Sequence, residues 1–445
     1  MKSSPPINIK LIQGLSLISQ KELSEFVFFS ISKYFSGQRS YSNILKILKA
    51  LHKSGFKGHD NNSILGLLMK ELELSKNTLQ NRISELYKIF EMFIVIRELK
   101  YLPFERNRIL MNYYSQKNSF KLFDYVYNSA FEFQKKEKVS SERMKRDYSL
   151  YDLSSTNYFF RGNSKSYTEH FSLKSDYQIY AFLIDLLKNG IEIHQQNFMS
   201  LKHNSRLPEK VIENLPVNVI LKELKKSNTQ YYYLIMIVYE MYLSFGDYSV
   251  SRHFKNAVRI HKKIKASLSD DDNQFVYLLF ITYCINQTHF EKPEFYKFLF
   301  NIISQKLKDG YYRELTENNF PVNNFRDYVF IGLKIGEVEW VRSFIKEYSH
   351  CLPPEYRKDD VLIAEGMVAV KERKFEKAIM LLNKVRKKNY LHYTDSSFHK
   401  LRAYYQLEHY ADALIEIERI KKYFKSNKNI PAIFLEKYSP YLKDI

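Results

Sequence analysis

Apolar residues along this chain recur at intervals of three and four, the spacing that lines one face of a helix, and strict alternation is hard to find. Leu23, Phe26, Val27, Ser30, Ile31 and Tyr34 predict a helix from about Gln20 to Phe35. Ser19 and Glu22 stand at capping-box spacing before it, so each side chain can satisfy a free backbone donor at the helix start. Ile44, Leu45, Ile47, Leu48 and Leu51 mark a second helix that stops at Gly55. From Ser63 to Leu99 the pattern gives two helices divided near Glu73 to Ser75, a helix-turn-helix arrangement. A further amphipathic helix runs from Phe120 to Arg146 and grades into the charged tract QKKEKVSSERMKRD, a solvated face. The polar stretches Tyr148 to Tyr167 and Ser200 to Pro216 carry no sustained period and read as a loop or helix junction and as a connection.

The C-terminal third repeats itself. Gly366, Ala369, Phe375 and Ala378 align with Leu401, Tyr404, Tyr410 and Ala413, always 35 residues on, and Gly336, Val338 and Val341 align upstream with Arg373, Phe375 and Ala378 at an offset of 37. A fainter echo is YLSFGDYSVSRHF, with Gly246, Asp247 and Tyr248 in its turn. Small residues let two antiparallel helices approach, and an aromatic at the start of the second fills the cleft beside the first. These residues resemble the tetratricopeptide repeat, whose period is about 34. The resemblance covers roughly Asn323 to Lys425; Glu365 and Lys400 stand where that repeat usually holds Leu. The order of the segments NRISELYKIFEMF, YCINQ, LPPEYR, FEKAIMLL and KSNKNI also resembles a family of bacterial helical proteins, from which no activity follows.

The chain therefore reads as all-α: an N-terminal helical domain over 1–115, a middle helical region over 116–300 and tetratricopeptide-like repeats over 301–445, forming an α-solenoid of antiparallel pairs. Composition agrees: 12 Gly and 11 Pro in 445 residues are few for a many-stranded sheet. The longest apolar runs, Tyr231 to Tyr239 and Phe275 to Ile285, are shorter than the roughly 18 residues that cross a bilayer. MKSSPPINIK places two prolines where a signal peptide needs an apolar stretch, so the expected compartment is the cytoplasm. Cys284 and Cys351 form no framework and read as buried, inert thiols.

A net charge of +20 points to a phosphate-bearing or acidic partner, but Lys and Arg are spread along the whole chain and mixed with Glu. No phosphate-binding glycine loop, HExxH or GxSxG occurs, and no cofactor, metal or catalytic residue is expected. His392 and His399, seven apart, read as packing or surface residues. Asp270, Asp271 and Asp272 after Ser269 read as a helix start, where carboxylates favour the positive end of the macrodipole.

The resemblance implies a concave groove lined by the first helix of each pair and suited to a peptide or helix. Groove-facing residues are expected to be Phe330, Leu333 and Lys334, then Met367, Val370 and Lys371, then Arg402, Tyr405 and Gln406. An apolar strip flanked by Lys334, Lys371 and Arg402 suits an acidic segment or a C-terminal carboxylate of a protein partner. The leading expectation is thus a non-catalytic scaffold or adaptor. The alternative is a nucleic-acid-associated regulator using Lys76, Arg82 and Lys88 at the helix-turn-helix.

Overall fold

The computed structural model describes residues 10–37, 39–56, 58–201, 207–290, 292–313, 319–386, 389–427 and 430. All of its regular elements among these residues are helices, apart from one isolated parallel bridge between Val139 and Leu268. The chain forms two compact units that share it unevenly. One takes the residues up to Lys136 together with Leu150–Phe171; the other takes Glu137–Ser149 and everything from Ser172.

The first unit holds α1 (Lys10–Ser16), α2 (Gln20–Ile31), α3 (Lys33–Ser36), α4 (Ser42–Lys53), α5 (Asn61–Leu72), α6 (Lys76–Leu99), α7 (Pro103–Gln116) and α8 (Phe120–Lys136), with part of α9 (Ser141–Phe160) and of α10 (Ser164–Phe198). The capping box forms at Ser19 and Glu22, while at α5 and α6 the Asp60 and Ser75 side chains accept from the backbone N–H of Ser63 and Thr78. Leu23, Phe26, Leu48, Leu68, Leu86 and Phe90 are buried together, with Phe26 edge-on to Phe90 at 5.2 Å. A second core gathers Phe104, Met111, Phe123, Ala130 and Leu150.

The second unit continues with α11 (Leu207–Asn214), α12 (Val217–Lys226), α13 (Tyr232–Gly246), α14 (Arg252–Ile264), α15 (Asp270–His289), α16 (Glu294–Lys308), α17 (Val322–Ile335), α18 (Val338–Tyr348), α19 (Pro354–Lys371), α20 (Phe375–Leu382), α21 (Tyr390–Gln406) and α22 (Tyr410–Ser426). From α13 onward each helix packs on the next as an antiparallel pair. The first helices α13 and α15, α17 and α19, and α19 and α21 also touch, which is how an α-solenoid stacks.

The last three pairs turn identically. Gly336, Arg373 and Glu408, at equivalent positions, all adopt left-handed backbone, with φ of 90°, 61° and 59°. One residue later the backbone N–H of Glu337, Lys374 and His409 donates to the carbonyl of Gly332, Ala369 and Tyr404, each at 2.9 Å. This is the helix stop in which a left-handed residue lets the chain bond back across the last turn. Gly336 adopts it freely, whereas Arg373 and Glu408 do so against the preference of a side chain.

The same three first-helix residues meet the second helix nine positions on. A methyl on Gly332 would stand 2.5 Å from Cγ2 of Val341; Ala369 packs with Ala378, and Tyr404 with Ala413. Size is therefore shared across the cleft, nothing against Val in one pair and Ala against Ala in the next. Gly332→Ala is expected to destabilise by about 1–3 kcal/mol through overpacking. Adding Val341→Ala, which recreates the Ala369/Ala378 pairing, should recover most of that in thermal unfolding; a double variant no better than the single one contradicts the shared-cleft account.

Several predicted boundaries move. The first long helix breaks at Ser32, leaving α3 separate, and Ile31 and Tyr34 are exposed instead of buried. The charged tract is not one solvated face. The helix ends at Lys136, and Val139 bridges to the turn before α15, its N–H donating to the Ser267 carbonyl and its carbonyl accepting from the Ser269 N–H, both at 2.9 Å. Ser141, Arg143 and Asp147 are buried just beyond. Most of the stretch from Tyr148 to Tyr167 is helical, with the junction confined to the turn at Gly162 (φ 71°). The stretch from Ser200 to Pro216 contains α11, while 202–206 lie outside the described residues.

Candidate functional site

The sequence-predicted groove lies on α17, α19 and α21, which stand side by side in that order. Phe330, 47% exposed, and Lys334 lie at the surface of α17, with the Lys334 ammonium 5.6 Å from the centre of the Tyr296 ring. Lys371 ends α19 exposed, and Arg402, Tyr405 and Gln406 are exposed on α21, with Tyr405 edge-on to Tyr410 at 6.1 Å. Lys371 and Arg402 form no ion pair among the described residues.

Met367 does not belong to this surface. It is 6% exposed and sits in the core, as do Leu333 and Val370 in their buried positions. The reason is that α19 is packed by α17, α18, α20 and α21 at once, so almost every apolar position on it is covered. The apolar strip thus reduces to two aromatics, Phe330 and Tyr405, among three cations.

Sequence reading missed the cross-link between α17 and α21. Arg326 holds Asp395 with two hydrogen bonds, Nη2 to Oδ1 at 3.0 Å and Nε to Oδ2, a planar fork that fixes geometry as well as charge. One turn along α21, burial holds the His399 imidazole below its usual pKa; Asp395 opposes that shift, and Arg402 and Arg326 reinforce it. His392 is engaged elsewhere: it is buried, with Nε2 3.2 Å from Asp360. The two histidines thus serve different carboxylates. Cys284 is buried and its thiol pKa is pushed up by that burial, but Cys351 is half-buried with Sγ 3.4 Å from His350, so the expectation that both are interior fails for Cys351.

Asp272 is more than a helix-start charge. Ser269 caps α15, and Asp272 also accepts hydrogen bonds from the Ser141 backbone N–H at 2.8 Å and hydroxyl at 2.6 Å, with Lys188 Nζ at 3.6 Å.

In the first unit, Lys76 and Lys88 are exposed on α6 and Arg82 is half-buried. Glu85, between Arg82 and Lys88, pairs with Arg39 and accepts from the Tyr41 hydroxyl at 2.8 Å. The charge of that carboxylate is matched by Arg39.

A third surface was not read from the sequence. On α14, Arg252, Lys255 and Arg259 recur at three and four and are exposed, and with His253, Asn256 and the buried Glu240 of α13 they line a cavity of about 480 Å3. Glu240 Oε2 lies 2.7 Å from His253 Nδ1, and its Oε1 accepts from the Asn256 amide. The signal was present in RHFKNAVRIHKKI, which has five Lys or Arg and no carboxylate, but was diluted by a chain that is basic throughout.

Comparison with known protein families, curated proteins and solved structures finds no match.

Proposed function

We propose that the protein is a non-catalytic scaffold or adaptor of the tetratricopeptide-like kind, which captures an acidic segment of a protein partner on the first helices of its last three pairs. The observation that supports this most is that each of those helices carries an exposed cation near its C-terminal end, Lys334, Lys371 and Arg402, beside the exposed aromatics Phe330 and Tyr405. Aromatics supply buried area when a partner docks, and cations select its charge and speed encounter. No helix among the described residues is long and apolar enough to cross a membrane, and we place the activity in the cytoplasm.

The test is fluorescence anisotropy with labelled peptides rich in Asp and Glu, each paired with its Asn/Gln counterpart. Wild-type protein is expected to favour the acidic member, and the variant Lys334→Ala/Lys371→Ala/Arg402→Ala to bind it at least tenfold more weakly, a loss of about 1.4 kcal/mol. Indifference to peptide charge, or undiminished binding by the variant, sinks the proposal. The alternative, a nucleic-acid regulator reading through α6, predicts instead that Lys76→Ala/Arg82→Ala/Lys88→Ala abolishes duplex binding.

A further inference from the structure

We infer that the cavity between α13 and α14 is a phosphate-binding site, for the phosphate of a nucleotide or of a polynucleotide backbone. Its walls are Arg252, Lys255 and Arg259 with His253, Asn256 and Glu240, and no apolar side chain lines it. The side chains that line it are all charged or polar, although their carbon atoms supply most of the lining surface. Two guanidinium groups offer planar forks that match phosphate oxygens, and Lys255 adds a point charge.

None of the three cations forms an ion pair among the described residues. Arg259 Nη2 donates to Asn256 Oδ1 at 2.6 Å, and Lys255 Nζ lies 5.9 Å from the Phe298 ring centre. Lys262 and Lys263 extend the exposed cationic face along the same helix. The one carboxylate in the wall does not oppose an anion freely. Both oxygens of Glu240 are engaged, one by the Asn256 amide and one by His253 Nδ1. That bond engages the imidazole through Nδ1 and fixes the ring against Glu240. Asp247, whose charge also acts on His253, is tied to Ser249 through the backbone N–H at 2.8 Å and the hydroxyl at 2.6 Å.

The whole-chain charge of +20 means that weak attraction of any polyanion is no support, so the experiment compares equal charge losses at two places. Binding of pyrophosphate is measured by calorimetry and of labelled oligothymidylate by anisotropy. The proteins are wild type, Arg252→Gln/Lys255→Gln/Arg259→Gln, and Lys334→Ala/Lys371→Ala/Arg402→Ala; circular dichroism checks that all are folded. The α14 variant is expected to lose at least tenfold for both probes while the other stays within about twofold of wild type. If the natural ligand is a strand, oligothymidylate binds far more tightly than pyrophosphate, with a salt slope near −2 for three phosphate contacts (about 0.7 per contact). If it is a small phosphorylated molecule, the two probes bind alike. Equal losses in the two variants, or no binding of either probe by wild type, overturn the inference. None of these outcomes depends on whether the α17–α21 surface takes an acidic peptide.

Discussion

Glu416→Leu is expected to lower stability by about 3–5 kcal/mol, and the double variant Glu416→Leu/Lys400→Met to return most of it. Lys400 Nζ on α21 lies 2.9 Å from Glu416 Oε1 on α22, and the two side chains are 4% and 1% exposed. Removing one partner strands an ammonium ion in the interior, whereas replacing both with apolar groups of similar volume removes the desolvation penalty along with the attraction. Arg419, 3.4 Å from the other Glu416 oxygen, is largely exposed and contributes little by comparison. Urea unfolding of wild type, single and double variants settles the matter: if the double variant is as unstable as the single one, the site depends on the ions themselves and not on filling the space. Lys400, which the tetratricopeptide resemblance marks as a departure, is buried. Glu365, in the aligned place on α19, is exposed.

Asp272→Ala is expected to cost about 3–5 kcal/mol and to loosen the segment from Glu137 to Ser149 first. The carboxylate accepts from the Ser141 backbone and hydroxyl, from the Ser269 hydroxyl at 3.2 Å, and faces Lys188. Hydrogen bonds to a charged group contribute about 1.5–3 kcal/mol each, and the orphaned donors add their own desolvation. Nearby, the buried Tyr231 hydroxyl donates to Asp147 and Arg146 pairs with Glu137, so the segment is held along its length. Hydrogen exchange should show faster protection loss at the amides of Val139 and Ser141 than at those of α19. Uniform acceleration throughout the second unit would mean that Asp272 holds the global fold and not this segment.

Helices whose signals are local were legible. Ser19 forms its capping box, α15 starts after Ser269, and the division near Glu73 to Ser75 falls between α5 and α6. Legibility failed where the deciding partner is distant. The tract around Val139 reads as solvated helix because nothing nearby announces Leu268 or Asp272. Met367 reads as groove-facing because a single helix cannot reveal that four others enclose it. Exposure of Lys334, Lys371 and Arg402 was legible, since a lysine or arginine on a helix is seldom buried without a partner. The Arg326 to Asp395 link was not, being a pairing 69 residues apart.

The interleaved path of the chain has a consequence for synthesis. The first unit has all its residues once Phe171 has emerged, but the segment from Glu137 to Ser149 leaves the ribosome without Asp272, which lies 131 positions after Ser141. At about 5–20 residues per second, the Ser141 backbone N–H and hydroxyl wait roughly 7 to 26 seconds for the carboxylate they bond in the folded unit. The C-terminal pairs, which bond mainly to their immediate neighbours, complete themselves almost as they appear. The segment from Glu137 to Ser149 therefore completes these bonds only after Asp272 has been made, and translation speed between Ser149 and Asp272 sets how long it waits.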